Sequence, residues 1–277
     1  MNKKILILLL SSKKYPSPRN ENVQNLTWVK DAQNYNIEVI QFLGGYKNRI
    51  YEKPFLKLTS GDAIKDVGYK TIESFEWALE NRSFDFIFRV NSSSYVNIEK
   101  LIQFVNNLHT SVLYAGNVID LKMLDLKFVS GSGIILDKFS VKNIVLNKNI
   151  WDHSIIDDVA LGKVCQTLNI PPTEGDFFAI KKNVFSYDKL ESSYHFRCKL
   201  EDYGYPRFLE SINMSNLSKI QNKNLPNKVT IKLSIFVFEF IKLINLKFYL
   251  NFYIFRNRHL RNRIRKYKNQ LLGIFSN

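Results

Sequence analysis

Residues 84–97, FDFIFRVNSSSYVN, constrain this chain more than any other stretch. Phe84, Phe86, Ile87, Phe88 and Val90 form a short apolar run of aromatic and branched side chains, the pattern of a buried strand. The run stops at Asn91-Ser92-Ser93-Ser94. Small polar residues directly after a buried strand make a turn at its carboxyl end, and in open α/β sheets ligands bind at that end. Asn97 then offers a cap to a helix through Ile98, Leu101, Ile102 and Val105. An ordinary strand–turn–helix junction also fits this stretch, so its weight depends on its neighbours.

The neighbours alternate strand with helix. Ile5–Leu10 reads as a buried central strand ending at Ser11-Ser12, and residues 37–43 as a second strand closed by Gly44-Gly45. Tyr15-Pro16-Ser17-Pro18 reads as loop. Residues 62–79 have helical spacing, with Ile64, Val67, Thr71, Phe75 and Ala78 near one face. Residues 112–116 read as a strand, 128–133 as a Gly/Ser turn before the apolar run 134–136, and 140–146 as a helix. Asp157-Asp158 open a further helix, where the dipole favours anions and a capping role is an even alternative to chemistry. Residues 194–199 alternate like a strand with basic side chains on one side. This order predicts an α/β domain with a mostly parallel central sheet flanked by helices.

Charge divides the chain. Of the 277 residues, 1–210 hold 27 Lys/Arg against 24 Asp/Glu, whereas 211–277 hold 13 Lys/Arg against one acid, Glu239. We therefore expect one globular domain over 1–210 and an apolar, basic, helical extension over 211–277. The basic character belongs to the extension and says little about the domain's ligand. Nucleic-acid binding rests on that extension alone, without a recognised motif, so no nucleic-acid partner is expected. Two cysteines, Cys165 and Cys198, imply no disulfide framework and fit a reducing compartment. The amino-terminal apolar run spans six residues with no small-residue cleavage pattern after it, so a first strand is expected rather than a signal peptide. The extension is densely apolar from Val229, but Glu239, Lys242, Asn245 and Lys247 interrupt it. A spanning helix is therefore not expected. Attachment to an anionic membrane surface is expected, on the cytoplasmic inner face. Packing on protein is the alternative.

The ordered motifs resemble the β-1,3-glycosyltransferase family, the galactosyltransferase and Fringe-like inverting enzymes of GT-A fold. The matching stretches are Thr27-Trp28, Asp62 with Tyr69-Lys70-Thr71 and Trp77, Tyr114-Ala115-Gly116, Phe128-Val129-Ser130-Gly131, Asp157-Asp158-Val159 with Gly162, and His195. They cover about three-quarters of the chain, long enough for one domain. The departure is at Asn91, Ser92 and Ser93, which stand where that family carries an Asp triplet. Hard divalent cations want anionic oxygen ligands, which Asn and Ser do not supply. No metal cofactor is expected.

The resemblance implies transfer of a hexose-type sugar from a nucleotide-diphosphate donor, a uridine diphosphate sugar in that family, to a glycan or lipid-linked acceptor in surface polysaccharide or glycoconjugate synthesis. Such chemistry needs a base for the acceptor hydroxyl and positive or hydrogen-bonding groups for the leaving diphosphate. Asp158 is the expected base, with Asp157 beside it. Arg197 and Lys199 alternate onto one strand face and are expected on phosphate, with a solvated edge as the even alternative. Arg89, Asn91, Ser92, Ser93, Ser130, Gly131 and His195 complete the expected donor set. A plain ion pair for Arg89 and a core role for His195 are the competing readings. A catalytically inactive GT-A-like domain that binds a sugar or a partner is the alternative for the whole chain.

Overall fold

The computed structural model describes residues 3–14, 16–108, 112–190 and 192–256, with backbone alone over 247–256. The chain begins with β1 (Ile5–Leu10), α1 (Ser17–Leu26), α2 (Trp28–Asn34), β2 (Glu38–Leu43), β3 (Ile50–Glu52), β4 (Phe55–Lys57) and α3 (Val67–Asn81). It continues through β5 (Phe86–Asn91), β6 (Ser94–Val96), α4 (Ile98–Asn106), β7 (Tyr114–Leu121), β8 (Leu126–Asp137), α5 (Lys138–Leu146) and α6 (Asp157–Thr167). It closes with β9 (Pro172–Glu174), β10 (Phe177–Ala179), β11 (His195–Arg197), α7 (Leu209–Gln221) and α8 (Lys228–Arg256).

Eight strands make the main sheet in the order β3-β4-β2-β1-β5-β8-β7-β9. The run β4-β2-β1-β5 is parallel, as is β7 with β9, while β3, β8 and β7 introduce antiparallel pairings. A strand covered on both faces reads as a continuous apolar run, and β1 does. Ile7 and Leu9 enter a core with Trp28 and Ala32 of α2, Leu101 and Val105 of α4, and Leu209, Met214 and Leu217 of α7. Leu6 and Leu8 enter the opposite core, with Phe75 and Ala78 of α3, Ile144 of α5 and Leu161 and Val164 of α6. The α7 side chains carry the first core past residue 210. A second sheet, β10-β11-β6, lies against the first core through Phe196 and Tyr95.

The layered α/β expectation holds, and so does the cap on α4, where the Asn97 side chain accepts from the Lys100 amide. Three local expectations fail for identifiable reasons. Residues 128–133 are no turn but the middle of β8, where Phe128 and Val129 pair with β7, Gly133 pairs with β5, and the register against β7 shifts between them. The glycines are there for space. A Cβ on Gly133 would lie 2.5 Å from Cε1 of the His195 ring. Pro16-Ser17-Pro18 is no loop but the start of α1, because a first helical turn has no use for the amide that proline lacks. The 62–79 helix begins only at Val67, after a single 3-10 turn at Ile64–Asp66, which leaves Asp62 outside it.

Candidate functional site

Chain order reverses at β1: β2 pairs on one side of it and β5 on the other. A crevice opens at the carboxyl ends of strands that diverge in this way. Here it is a hollow of about 490 Å³, walled by Ser11 and Ser12 after β1, by Asn91 and Ser92 after β5, and by Lys14, Asp62, Lys70 and Arg207. Its floor is an ion pair. Lys70, 2% exposed, donates to Asp62 Oδ1 at 3.0 Å and to the Ser11 carbonyl at 3.1 Å. Asp62 Oδ2 accepts from Ser12 Oγ and the Lys13 amide, both at 2.9 Å. Burial would raise the Asp62 carboxyl, but the Lys13 amide, the Lys70 ammonium and the Ser12 hydroxyl hold it below its ordinary value.

The turn after β5 is wired inward as much as outward. Asn91 Oδ1 accepts from the Ser93 amide and from Ser94 Oγ, each at 3.0 Å. Ser92 Oγ meets Ser17 Oγ at 3.0 Å. Ser93 Oγ lies 2.9 Å from Glu210 Oε2, accepts from Arg207 at 2.9 Å, and faces α7 rather than the hollow. Glu210 is fully buried and also accepts from Asn20 at 2.9 Å. The turn contains no carboxylate, and its one side-chain carbonyl oxygen is already used twice. These residues do not fit a divalent cation. Among the described residues, no group of three or more His, Cys, Asp or Glu is placed to hold a metal ion.

The two acids expected from sequence lie next door. Arg89, 1% exposed, donates to Asp157 Oδ2 at 2.9 Å and to the Gly131 carbonyl. Asp158 Oδ2 accepts from the Gly131 amide at 2.8 Å, and its Oδ1 from the Val159 amide at 3.0 Å. Neither acid caps α6, whose cap position is Ile156. Burial raises the Asp158 carboxyl, helped by the charge of Asp157 and opposed by the Gly131 amide. Of the pair, Asp157 lines a hollow of about 360 Å³ together with Gly68, Trp151, His153 and Ile156. Ile64 lines both this hollow and the Lys70 crevice, so the two adjoin.

The remaining expected residues fall elsewhere. His195 is a core histidine. It is buried, 2.9 Å from Ser94 Oγ, with its ring edge-on to Phe88 and Phe177, and burial pushes its pKa down to about 3. It occupies the Phe88 face of β5, opposite Arg89 and Asn91. Arg197 and Lys199 both pair with Asp202, at 3.4 and 3.0 Å. Arg197 also reaches Ser130 Oγ at 3.5 Å. Neither basic residue lines the crevice, because the β11–β6 pairing sets them at the other edge of the turn. The structure therefore unites Asn91 and Ser92 with the crevice and Asp157 with the adjoining hollow, where Arg89, Gly131 and Asp158 stand behind Asp157 without lining the space. It leaves Ser93, Ser130, His195, Arg197 and Lys199 outside both. The sequence reading missed Lys14, Lys70 and Arg207 as crevice residues. For Lys70 the available signal was a lysine on the inner face of α3, among Thr71, Ser74 and Phe75.

No protein-family model matches the chain, and no curated protein sequence matches it. Among solved structures, it is similar to a glycosyltransferase involved in the glycosylation of the major capsid of PBCV-1, with 10% identity over 76% of this chain and 98% of that one, at a TM-score of 0.48. It is also similar to A197 from STIV, with 11% identity over 62% of this chain and 81% of that one, at a TM-score of 0.36. Likenesses this loose say nothing about the chemistry of the crevice. The mixed α/β architecture, an eight-stranded sheet with helices on both faces, is consistent with a GT-A-like fold.

Proposed function

We propose that the protein is a glycosyltransferase that binds a nucleotide-diphosphate sugar in the crevice between β1 and β5 and moves the sugar to an acceptor hydroxyl beside Asp157, without a metal ion. The observation that carries this reading is the polar crevice at the reversal of strand order, floored by the buried Lys70 ammonium and edged by Lys14 and Arg207. Of the three cations around the hollow, Lys70 pairs with Asp62 and Arg207 with Glu210, and Lys14 has no ion pair among the described residues. A diphosphate that gains charge as it leaves would draw on Lys14 first. Asp157 is the acid that opens onto the adjoining hollow. Arg89 occupies only one of its oxygens, which leaves Oδ1 to accept the acceptor's proton. Asp158 is held by two amides and positions the β8 backbone behind Asp157.

The test is calorimetric titration with uridine diphosphate and its hexose conjugates in EDTA. Binding is expected to persist in the chelator. Lys14→Glu, at an exposed edge of the crevice, is expected to weaken it roughly tenfold, the scale of one charge-assisted contact. Binding that needs Mn²⁺, or that ignores Lys14→Glu, would remove the crevice assignment. A second reading, ligand binding without catalysis, is favoured by the internal partners of Asp158, Arg89, Arg197 and Lys199. It predicts the same binding with no donor hydrolysis and no transfer.

A further inference from the structure

Helix α8 has two faces of different kinds. One is fastened to the domain. Phe238, 2% exposed, packs 6.2 Å from the Tyr205 ring, Ser234 Oγ accepts from Asn183 at 2.9 Å, and Asn245 donates to the Gly204 carbonyl at 3.1 Å. The opposite face carries Val229, Leu233, Phe236, Val237, Phe240, Leu243 and Ile244, all exposed, with Val229, Phe236 and Leu243 at 65–76%. At about 100° per residue these seven fall within roughly a third of the helix circumference, and no polar residue interrupts them from Val229 to Ile244; Lys247 is the next position on that arc. The stripe runs about 22 Å along the axis. The polar residues that look scattered along the sequence (Ser234, Lys242 and Asn245) lie on the fastened face, where Lys242 sits 4.6 Å over the Tyr205 ring. The stripe is therefore built into the folded protein, and closing the domain does not cover it.

We infer that this face lies in the interfacial layer of an anionic bilayer. Charge selects that occupant over a second copy of the chain. Lys228 and Lys232 are exposed beside the stripe, and Glu239, the one acid nearby, accepts from Tyr205 Oη at 2.5 Å. Beyond the helix the sequence adds Arg258, Arg261, Arg263, Arg265, Lys266 and Lys268 and no acid. Those six lie outside the described residues, and their charge alone enters here. Pairing two such stripes would bring like charges together, whereas acidic headgroups attract all of them. Val237 and Ile244 also widen the apolar arc beyond a two-residue coiled-coil seam, as an interfacial helix requires. Among the described residues, no helix is long and apolar enough to cross a membrane.

The test is co-sedimentation of the full chain with phosphatidylcholine vesicles made with and without phosphatidylglycerol. The wild-type protein is expected to pellet with the anionic vesicles and to be partly released by salt. The double variant Phe236→Glu/Phe240→Glu changes only exposed positions, so the fold is kept, and it is expected to lose roughly tenfold or more of its partitioning. Lys228→Glu/Lys232→Glu is expected to weaken binding to anionic vesicles and leave the weak binding to neutral ones unchanged. Absence of pelleting by the wild type, or equal pelleting by Phe236→Glu/Phe240→Glu, would overturn the inference. A wild-type dimer in light scattering that dissociates in the same variant, with no vesicle binding, would assign the stripe to a second copy instead.

Discussion

Two buried cations flank the paired strands β1 and β5, and they are used differently. Lys70 and its acid form the floor of an open crevice. Asp62 sits on a loop and is held mostly by the turn just after β1, through Ser12 and Lys13. Arg89 instead ties together strands and helix from distant parts of the chain, reaching the Gly131 backbone in β8 and Asp157 at the head of α6. The first arrangement sets a paired ammonium and carboxylate at the surface of an open space. The second spends its charge on holding backbone, and it offers the adjoining hollow only the spare oxygen of Asp157. Under the proposed function, a buried pair set in a local turn at a strand end marks the ligand site, and a long-range buried pair marks scaffold.

The largest expected effect breaks the scaffold pair. Arg89→Met leaves Asp157 beside Asp158 with no cation and leaves the Gly131 carbonyl without its donor. Breaking a buried pair from one side costs about 3–5 kcal/mol. Urea unfolding monitored by fluorescence measures it. A loss under about 1 kcal/mol would show that the Arg89 pair carries no scaffold load and would erase the contrast with Lys70.

The next effect sharpens the division of labour between the two acids. Asp157→Asn is expected to lower sugar transfer about 10²–10⁴-fold, the usual weight of a general base, while leaving nucleotide affinity in place. Asp158→Asn keeps a carbonyl oxygen for the Gly131 amide and is expected to lower transfer by less than about tenfold. Initial rates with saturating donor decide it. Full loss in Asp158→Asn with activity kept in Asp157→Asn would return the base to Asp158.

The strands and the helices beneath the crevice were legible because a strand buried on both faces and an amphipathic helix leave different periods in the sequence. Ile5–Leu10 and the Asn97 cap fell where expected, and the 84–90 run became β5 from Phe86 onward, taking in Asn91 that the turn was expected to claim. Residues 128–133 were misread because Gly and Ser usually mark turns, while here they mark a crowded strand. The rings and charges that crowd it, His195, Arg89 and Asp158, come from distant parts of the chain. The acids 157 and 158 were found by pattern, yet which of them meets open space depends on the path of β8. Lys70 was hidden for a related reason. Its partners Ser11 and Asp62 lie 59 and 8 positions away, and only the fold makes them one group. The α8 stripe was obscured because three of the residues that interrupt the apolar run in sequence, Glu239, Lys242 and Asn245, are engaged by the domain.

The smallest effect tests the crevice side of the comparison through Glu21 of α1. Its carboxylate is buried beneath the Ser11 turn, accepts from Ser11 Oγ, and has no cationic partner among the described residues. Burial raises its pKa above the ordinary 4.5, the Ser11 hydroxyl opposes this, and the nearby Asp62 charge adds to it. A carboxyl raised in the folded state contributes stability that is complete below its unfolded pKa and is lost as pH rises through its folded pKa. Glu21→Gln keeps an acceptor for Ser11 and never ionises, so it escapes that loss. The variant and the wild type are expected to have equal unfolding midpoints at about pH 4. At about pH 8 the variant should be more stable by about 1 kcal/mol or less, the scale of a single hydrogen-bond or desolvation difference. A variant that is less stable at the higher pH would mean that the Glu21 charge is wanted there. In that case the crevice would hold a cation in the folded protein, and its floor would resemble the Arg89 cluster more closely than the geometry shows.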